Sequence, residues 1–95
     1  MNIYWMEEAE YDLNHWLDYM AIRNPEAGNR IAVEVLEAVE SLKENPLKGR
    51  VGKVHNTREL IIPDNPLKVI YTVEESLISI MFVPHQRQRW SSIQN

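Results

Sequence analysis

The apolar positions along this chain change period as it proceeds. At the start, Ile3, Tyr4 and Trp5 form a short run of strand-favouring residues. From Ala9 the period lengthens. Ala9, Leu13, Trp16, Leu17 and Met20 recur at helical spacing and trace one stripe of an amphipathic helix. Glu7, Glu8, Glu10 and Asp12 crowd its first turns, where the aligned peptide dipoles favour negative charge. The stretch "RNPEAGNR" interrupts the stripe. Asn24 is a good N-cap and Pro25 a good first helical residue, so a second helix begins there. Its stripe is Ala27, Ile31, Val35, Ala38, Val39 and Leu42, and it should end near Asn45–Pro46, because proline cannot continue a helix. The short link over residues 22–25 predicts an antiparallel helical hairpin.

Beyond Pro46 the helical period is gone. "PLKGRVGKVHN" carries two glycines and three basic residues without a period, and reads as a loop. Three short segments rich in β-formers follow: "TRELII", "LKVIYTV" and "LISIMFV". "PDNP" and "EES" separate them as tight turns, which predicts an antiparallel meander. Pro63 and Pro66 fall at strand ends, where a missing N–H is tolerated. Ile70, Val73, Ile78 and Ile80 are placed to cover the helices from the sheet. The expected order is β-α-α-β-β-β, with no repeat and no second domain.

Composition narrows this picture. With 95 residues the chain makes one domain with a modest core. It has no cysteine, which excludes disulfides, thiolate metal sites and a cysteine nucleophile. A content of 44% hydrophobic and 25% charged residues is that of an ordinary globular fold. No apolar run approaches the ~20 residues that span a bilayer, and "MNIYWMEEAE" has neither a basic nor a long apolar region. The protein is therefore expected to stay in the cytoplasm, off the membrane. The net charge of −4 is unevenly distributed. Residues 1–45 hold ten acidic and three basic side chains, and residues 46–95 hold four acidic and seven basic ones. That asymmetry points to one acidic and one mildly basic face.

The chemistry on offer is limited. His15, His55 and His85 are scattered and form no HxxxH pair, so no metal is expected. "GRVG" lacks the spacing of a phosphate-binding loop, and no serine sits in a nucleophile elbow. What remains is a polar cluster in the C-terminal half: Lys48, Arg50, Lys53, His55 and Arg58, then His85, Arg87, Arg89 and Trp90. A sheet could bring Arg58 and His85 together. Such a surface can hold a phosphodiester and stabilise charge while a histidine moves protons, or it can grip an acidic protein. The plainer alternative is that Arg58 pairs with acidic neighbours, His85 bonds a turn and Trp90 caps the core.

The order of these segments resembles that of the RelE/ParE superfamily, the toxins of bacterial type II toxin–antitoxin systems. The first helix is similar through Ala9, Asp12, Leu13 and Tyr19, and the second with its loop through Pro25, Ala27, Leu42, Pro46, Gly49 and Arg50. "TRELII" is similar through Arg58, Glu59 and Leu60. The ending is similar through Tyr71, Val73, Ile78, Ile80, Val83, His85, Arg87 and Trp90. The likeness covers residues 1–90 as one domain and leaves 91–95 as a tail. It implies an α+β fold with the helical hairpin packed on an antiparallel sheet. It also implies a cognate antitoxin, a toxin–antitoxin hetero-oligomer, a role such as plasmid stabilisation, and no cofactor.

Two activities are implied. RelE-like members cut mRNA in the ribosomal A site without a metal; in that branch His85 would be the general acid/base, with Arg50, Arg58 and Arg87 binding phosphate. ParE-like members share the fold and inhibit DNA gyrase, with no established catalytic residues; Lys48, Arg50, Lys53, Arg58, Arg89 and Trp90 would then contact gyrase or the antitoxin. The pI of ≈ 5.3 leans away from the nuclease, since ribosomal RNA binding draws on phosphate contacts. The position where some nuclease members carry a terminal tyrosine is occupied here by an arginine or a tryptophan, and the indole N–H of Trp90 is a donor only. Ser91 replaces a proline that often follows this tryptophan. The ParE-like reading is the first expectation and the ribosome-dependent nuclease the second. A module that binds its antitoxin without being toxic is the third.

Overall fold

A computed structural model of the chain describes residues 1–87. Arg89 and Trp90, two of the expected contact residues, lie outside them. The elements are β1 (Asn2–Trp5), α1 (Glu7–Ala21), α2 (Pro25–Ser41), β2 (Arg50–Val51), β3 (Arg58–Ile61), β4 (Lys68–Glu74) and β5 (Leu77–Phe82). This is the expected order with one addition. Two residues of "PLKGRVGKVHN", expected as loop throughout, form β2. Their pairing is tertiary in origin: Arg50 and Val51 lie opposite Glu59 and Arg58. Gly52 N–H donates to the Thr57 carbonyl at 2.8 Å, and Asn56 takes a left-handed φ of 65° in the turn between.

The sheet order is β1-β5-β4-β3-β2. β1 runs parallel to β5, with Ile3 opposite Ile78 and Trp5 opposite Ile80. The other three pairings are antiparallel. A parallel partner cannot be reached through a tight turn, and the helical hairpin lies in the connection.

The helices follow their sequence signals closely. Asn24 Oδ1 accepts the Ala27 N–H at 3.2 Å, and Pro25 opens α2. Ala9 and Leu13 of α1 are buried, and Trp16 and Leu17 pack half-buried against the core. Ile31, Val35, Val39 and Leu42 are buried from α2 and the turn after it. Gly28 and Ala32, outside the expected stripe, are buried as well. At Gly28 the helices meet closely: a Cβ there would lie 2.6 Å from Met20 Cβ.

Side chains alternate across a strand, and this decides which residues meet the helices. Leu60, Val69, Tyr71, Ile78 and Ile80 join the helix-side core, with Val73 half-buried beside them. Ile70 does not, contrary to expectation. It is fully buried on the other face, opposite Glu59 on one side and Phe82 on the other. The reason is parity, since Ile70 precedes the inward-facing Tyr71.

One irregularity governs the C-terminal end. Tyr71 pairs with Ile80 but Ile70 pairs with Phe82, so β5 carries an extra residue, Met81. Such a bulge shifts the inward positions by one from there on. Val83, which regular alternation would turn away from the helices, therefore lies 3% exposed in the helix-side core. Asp12 Oδ2 of α1 accepts its N–H at 2.9 Å.

Candidate functional site

The basic residues of the C-terminal half divide into three groups. The first is built round Tyr71, which is fully buried. Its hydroxyl donates to the Pro46 carbonyl at 2.8 Å and accepts the Gly49 N–H at 2.9 Å. Arg58 lies opposite Tyr71 in the register and donates from Nη1 to the Gly49 carbonyl at 2.7 Å and the Leu47 carbonyl at 3.4 Å. A Cβ on Gly49 would come within 2.7 Å of the Tyr71 hydroxyl, so only glycine fits. Burial pushes the Tyr71 phenol above its ordinary pKa; the Gly49 N–H and the Arg58 charge oppose that effect. Arg58 and Tyr71 together fasten the "PLKGR" loop to the sheet.

The second group lies on the face away from the helices. Glu59 and Lys68 are both buried, and Lys68 Nζ meets Glu59 Oε1 at 3.1 Å. Arg50 Nη2 reaches the same oxygen at 3.3 Å, while its side chain stays largely exposed. Lys48 Nζ contacts Ser41 Oγ at 3.4 Å, and Lys53 and His55 are exposed.

The third group follows β5. Leu67 and His85 form an isolated bridge, and the Lys68 N–H donates to the Pro84 carbonyl at 2.9 Å. Gln86 fastens the segment further. Its N–H donates to the Pro66 carbonyl at 2.6 Å, and its amide nitrogen to the carbonyls of Ile62 and Asn65. The "PDNP" turn is itself tied to α2 through Asn65, whose amide donates to the Ile31 carbonyl at 3.2 Å and Glu34 Oε1 at 2.9 Å. After the bulge, His85 shares the helix side with Leu67. It is exposed, and its Nδ1 accepts the Arg87 N–H at 3.2 Å. It lines a cleft of about 640 Å³ with Asp12, His15, Trp16, Tyr19 and Pro84.

The expected meeting of Arg58 and His85 does not occur. Their partners on β4 are Tyr71 and Leu67, four positions apart, or about 13 Å along a strand. Nor does His85 join Arg50 and Lys68, which lie on the opposite face. The structure instead adds residues that the sequence reading gave no site role: Asp12, His15, Trp16 and Tyr19 at the cleft, and Glu59 with Lys68 across the sheet. Asp12, Trp16 and Tyr19 stand at i, i+4 and i+7, which was a signal that one face of α1 carries polar atoms as well as bulk. Burial raises the Asp12 carboxyl pKa, with the Glu8 charge a smaller contribution in the same direction; the Val83 N–H and His15 act against it. Among the described residues, no three His, Cys, Asp or Glu groups are placed to hold a metal ion. No helix among them is long and apolar enough to cross a membrane.

A helical hairpin on one face of a five-stranded sheet, with a parallel first strand at its edge, is the architecture of a small bacterial toxin fold. The chain superposes on a protein of the chromosomal ParDE toxin–antitoxin system of P. aeruginosa with a TM-score of 0.81, at 23% identity, covering 90% of this chain and 95% of that one. A YoeB/ParE toxin from Agrobacterium tumefaciens gives a TM-score of 0.65 at 14% identity, with 90% and 99% covered. Among sequence relatives, the provisionally named toxin Y4kP of Sinorhizobium fredii is 31% identical over 96% of this chain and 94% of its own length. Toxin RelE2 of Caulobacter vibrioides is 31% identical over 87% and 92%. Residues 3–90 match the model of the ParE toxin of the type II toxin–antitoxin system parDE, and the chain belongs to that family. Membership implies a cognate antitoxin as partner.

Proposed function

We propose that this toxin arrests growth in the cytoplasm by binding DNA gyrase and blocking its cycle through protein contacts, and that a cognate antitoxin neutralises it. The observation that supports this is the separation of the groups a nuclease would need. Arg58 is turned inward onto the carbonyls of Gly49 and Leu47. Lys68 and Arg50 share Glu59. His85 faces α1, away from all three. Among the described residues His85, the histidine assigned to proton transfer, has Arg87 two residues on but is not brought to Arg50, Arg58 or Lys68, and the histidine that lines a depression with Arg58 is His55. Lys48, Arg50 and Lys53, whose side chains reach solvent, supply contacts to gyrase or the antitoxin, and Arg58 shapes the loop that carries them.

The test is plasmid supercoiling by purified gyrase in the presence of this protein. Inhibition relieved by the co-expressed antitoxin is expected. The competing reading is a ribosome-dependent endoribonuclease with His85 as general acid/base and Arg50, Arg58 and Arg87 on phosphate. Its support is the exposure of His85 beside His15 in the cleft and the name of the relative RelE2. In-frame mRNA cuts in induced cells that vanish in His85→Ala, with gyrase unaffected at high protein excess, would replace the first reading with the second.

A further inference from the structure

The face of α1 that meets the end of β5 is not filled. The cleft lined by Asp12, His15, Trp16, Tyr19, Pro84 and His85 continues at Asp12 into a second depression of about 360 Å³. Glu7, Glu8, Tyr11 and Phe82 line that one with Asp12. The two make one groove along α1, and among the described residues no lysine or arginine lines it. Its charge comes from three carboxylates on the first turns of the helix.

Its walls are aromatic in a particular arrangement. Tyr11 stacks on His15 with centroids 5.6 Å apart, and Trp16 on Tyr19 at 6.1 Å. The two stacks flank Asp12. The Tyr19 ring already carries a guanidinium, since Arg23 sits 3.7 Å from its centroid. Two polar groups are left with capacity to bond. Asp12 uses Oδ2 for the Val83 N–H, and its charge is partly desolvated, with His15 the nearby group that favours it. The Trp16 indole N–H is buried and has no acceptor among the described residues. A buried donor without a partner is uncommon in a native fold and costs stability, so a group that supplies an acceptor is favoured there.

We propose that this groove docks an arginine-bearing peptide segment of a partner protein, with a guanidinium held between the Asp12 carboxylate and the Trp16 and Tyr19 rings and a backbone carbonyl accepting from the Trp16 indole. Aromatic faces attract cations through their quadrupole, and guanidinium is the cation that stacks and hydrogen-bonds at once. Glu7 and Glu8 extend the same preference along the groove, so a second basic residue in the segment meets them. A phosphate-bearing ligand is excluded by the same carboxylates. The docking surface shares no residue with Lys48, Arg50, Lys53 or Arg58, the contacts of the gyrase reading, and shares His85 with the nuclease reading.

The full chain, ¹⁵N-labelled, is titrated with a capped Leu-Arg-Leu-Arg-Leu peptide and with its glutamine analogue. The arginine peptide should shift the Trp16 indole resonance and the amides of Asp12, Tyr19 and Val83. The glutamine analogue should bind at least about tenfold more weakly. Asp12→Asn should weaken the arginine peptide to a similar extent. Glu8→Gln, at an exposed position where folding is not at risk, should weaken it by a smaller factor of about two to three. Equal binding of both peptides would overturn the proposal. So would shifts confined to Lys48–His55, absence of binding at millimolar peptide, or binding that appears only once residues 88–95 are removed, which would mean the chain's own end fills the groove.

Discussion

The basic end of the molecule and the α1 groove use their polar residues in opposite ways. At the basic end, three of the charges that look available in the sequence are already engaged. Arg58 is bound to two loop carbonyls, and Lys68 and Arg50 converge on one oxygen of Glu59. Along α1, residues that look like helix stripe and solvated surface retain capacity: the Trp16 N–H has no acceptor among the described residues, and His15 stands exposed at a cleft that His85 lines from the end of β5. Positive charge in a sequence is thus a poor guide to positive charge that a partner can reach. What decides is whether the fold supplies an internal acceptor first.

The sharpest way to break this contrast is to remove the acceptor at the basic end. Glu59→Ala leaves the Lys68 ammonium buried without this carboxylate, and should cost about 3–5 kcal/mol in urea unfolding. A loss under about 1 kcal/mol would show that the pair is not buried in solution. Next is Gly49→Ala, whose methyl would meet the Tyr71 hydroxyl and ring and the Glu59 carbonyl. Displacing the loop should cost about 1–3 kcal/mol and alter the near-ultraviolet circular dichroism of the tyrosines.

A gentler probe is pH, because burial affects one group in each region. The folded Tyr71 phenol holds its proton more tightly than the unfolded one, whose ordinary pKa is 10.0. Stability should therefore fall as pH rises from about 10 through the folded value, and Tyr71→Phe should flatten that fall. Asp12 behaves likewise in the acid range. Its folded pKa lies above the ordinary 3.8, so its ionisation opposes folding. Its contribution declines as pH rises from 3.8 through the folded value, and Asp12→Asn should abolish that slope in a series of thermal melts. The smallest effect is expected where neither region is touched. Arg30 and Glu34 pair at 3.2 Å on exposed helix surface, and Arg30→Ala should change stability by no more than about 0.5 kcal/mol in the same melts.

The α2 start, both helix stripes and four of the five strands were legible in the sequence, since each rests on local signals: the Asn24 cap, the Pro25 start, the 3.6-residue stripe, the runs of β-formers, the Asp64 and Glu75 turns. β2 was not, since two residues carry no periodicity and exist as a strand only because β3 offers them partners. Ile70 was assigned to the wrong face, because a run of buried positions on β4 hides the alternation that would have placed it. The candidate site was half legible. Its residue types were visible, but not which of them would meet.

The sequence by itself determined the class of fold, the acidic helical half and the basic sheet half, for these follow from spacing and composition. Only the tertiary structure decided the fate of each charge. A single extra residue, Met81, turns His85 toward α1, and Tyr71 draws the loop under Arg58. Both depend on contacts between residues distant in the chain, where side-chain parity and the nearest free carbonyl, rather than local propensity, determine the outcome.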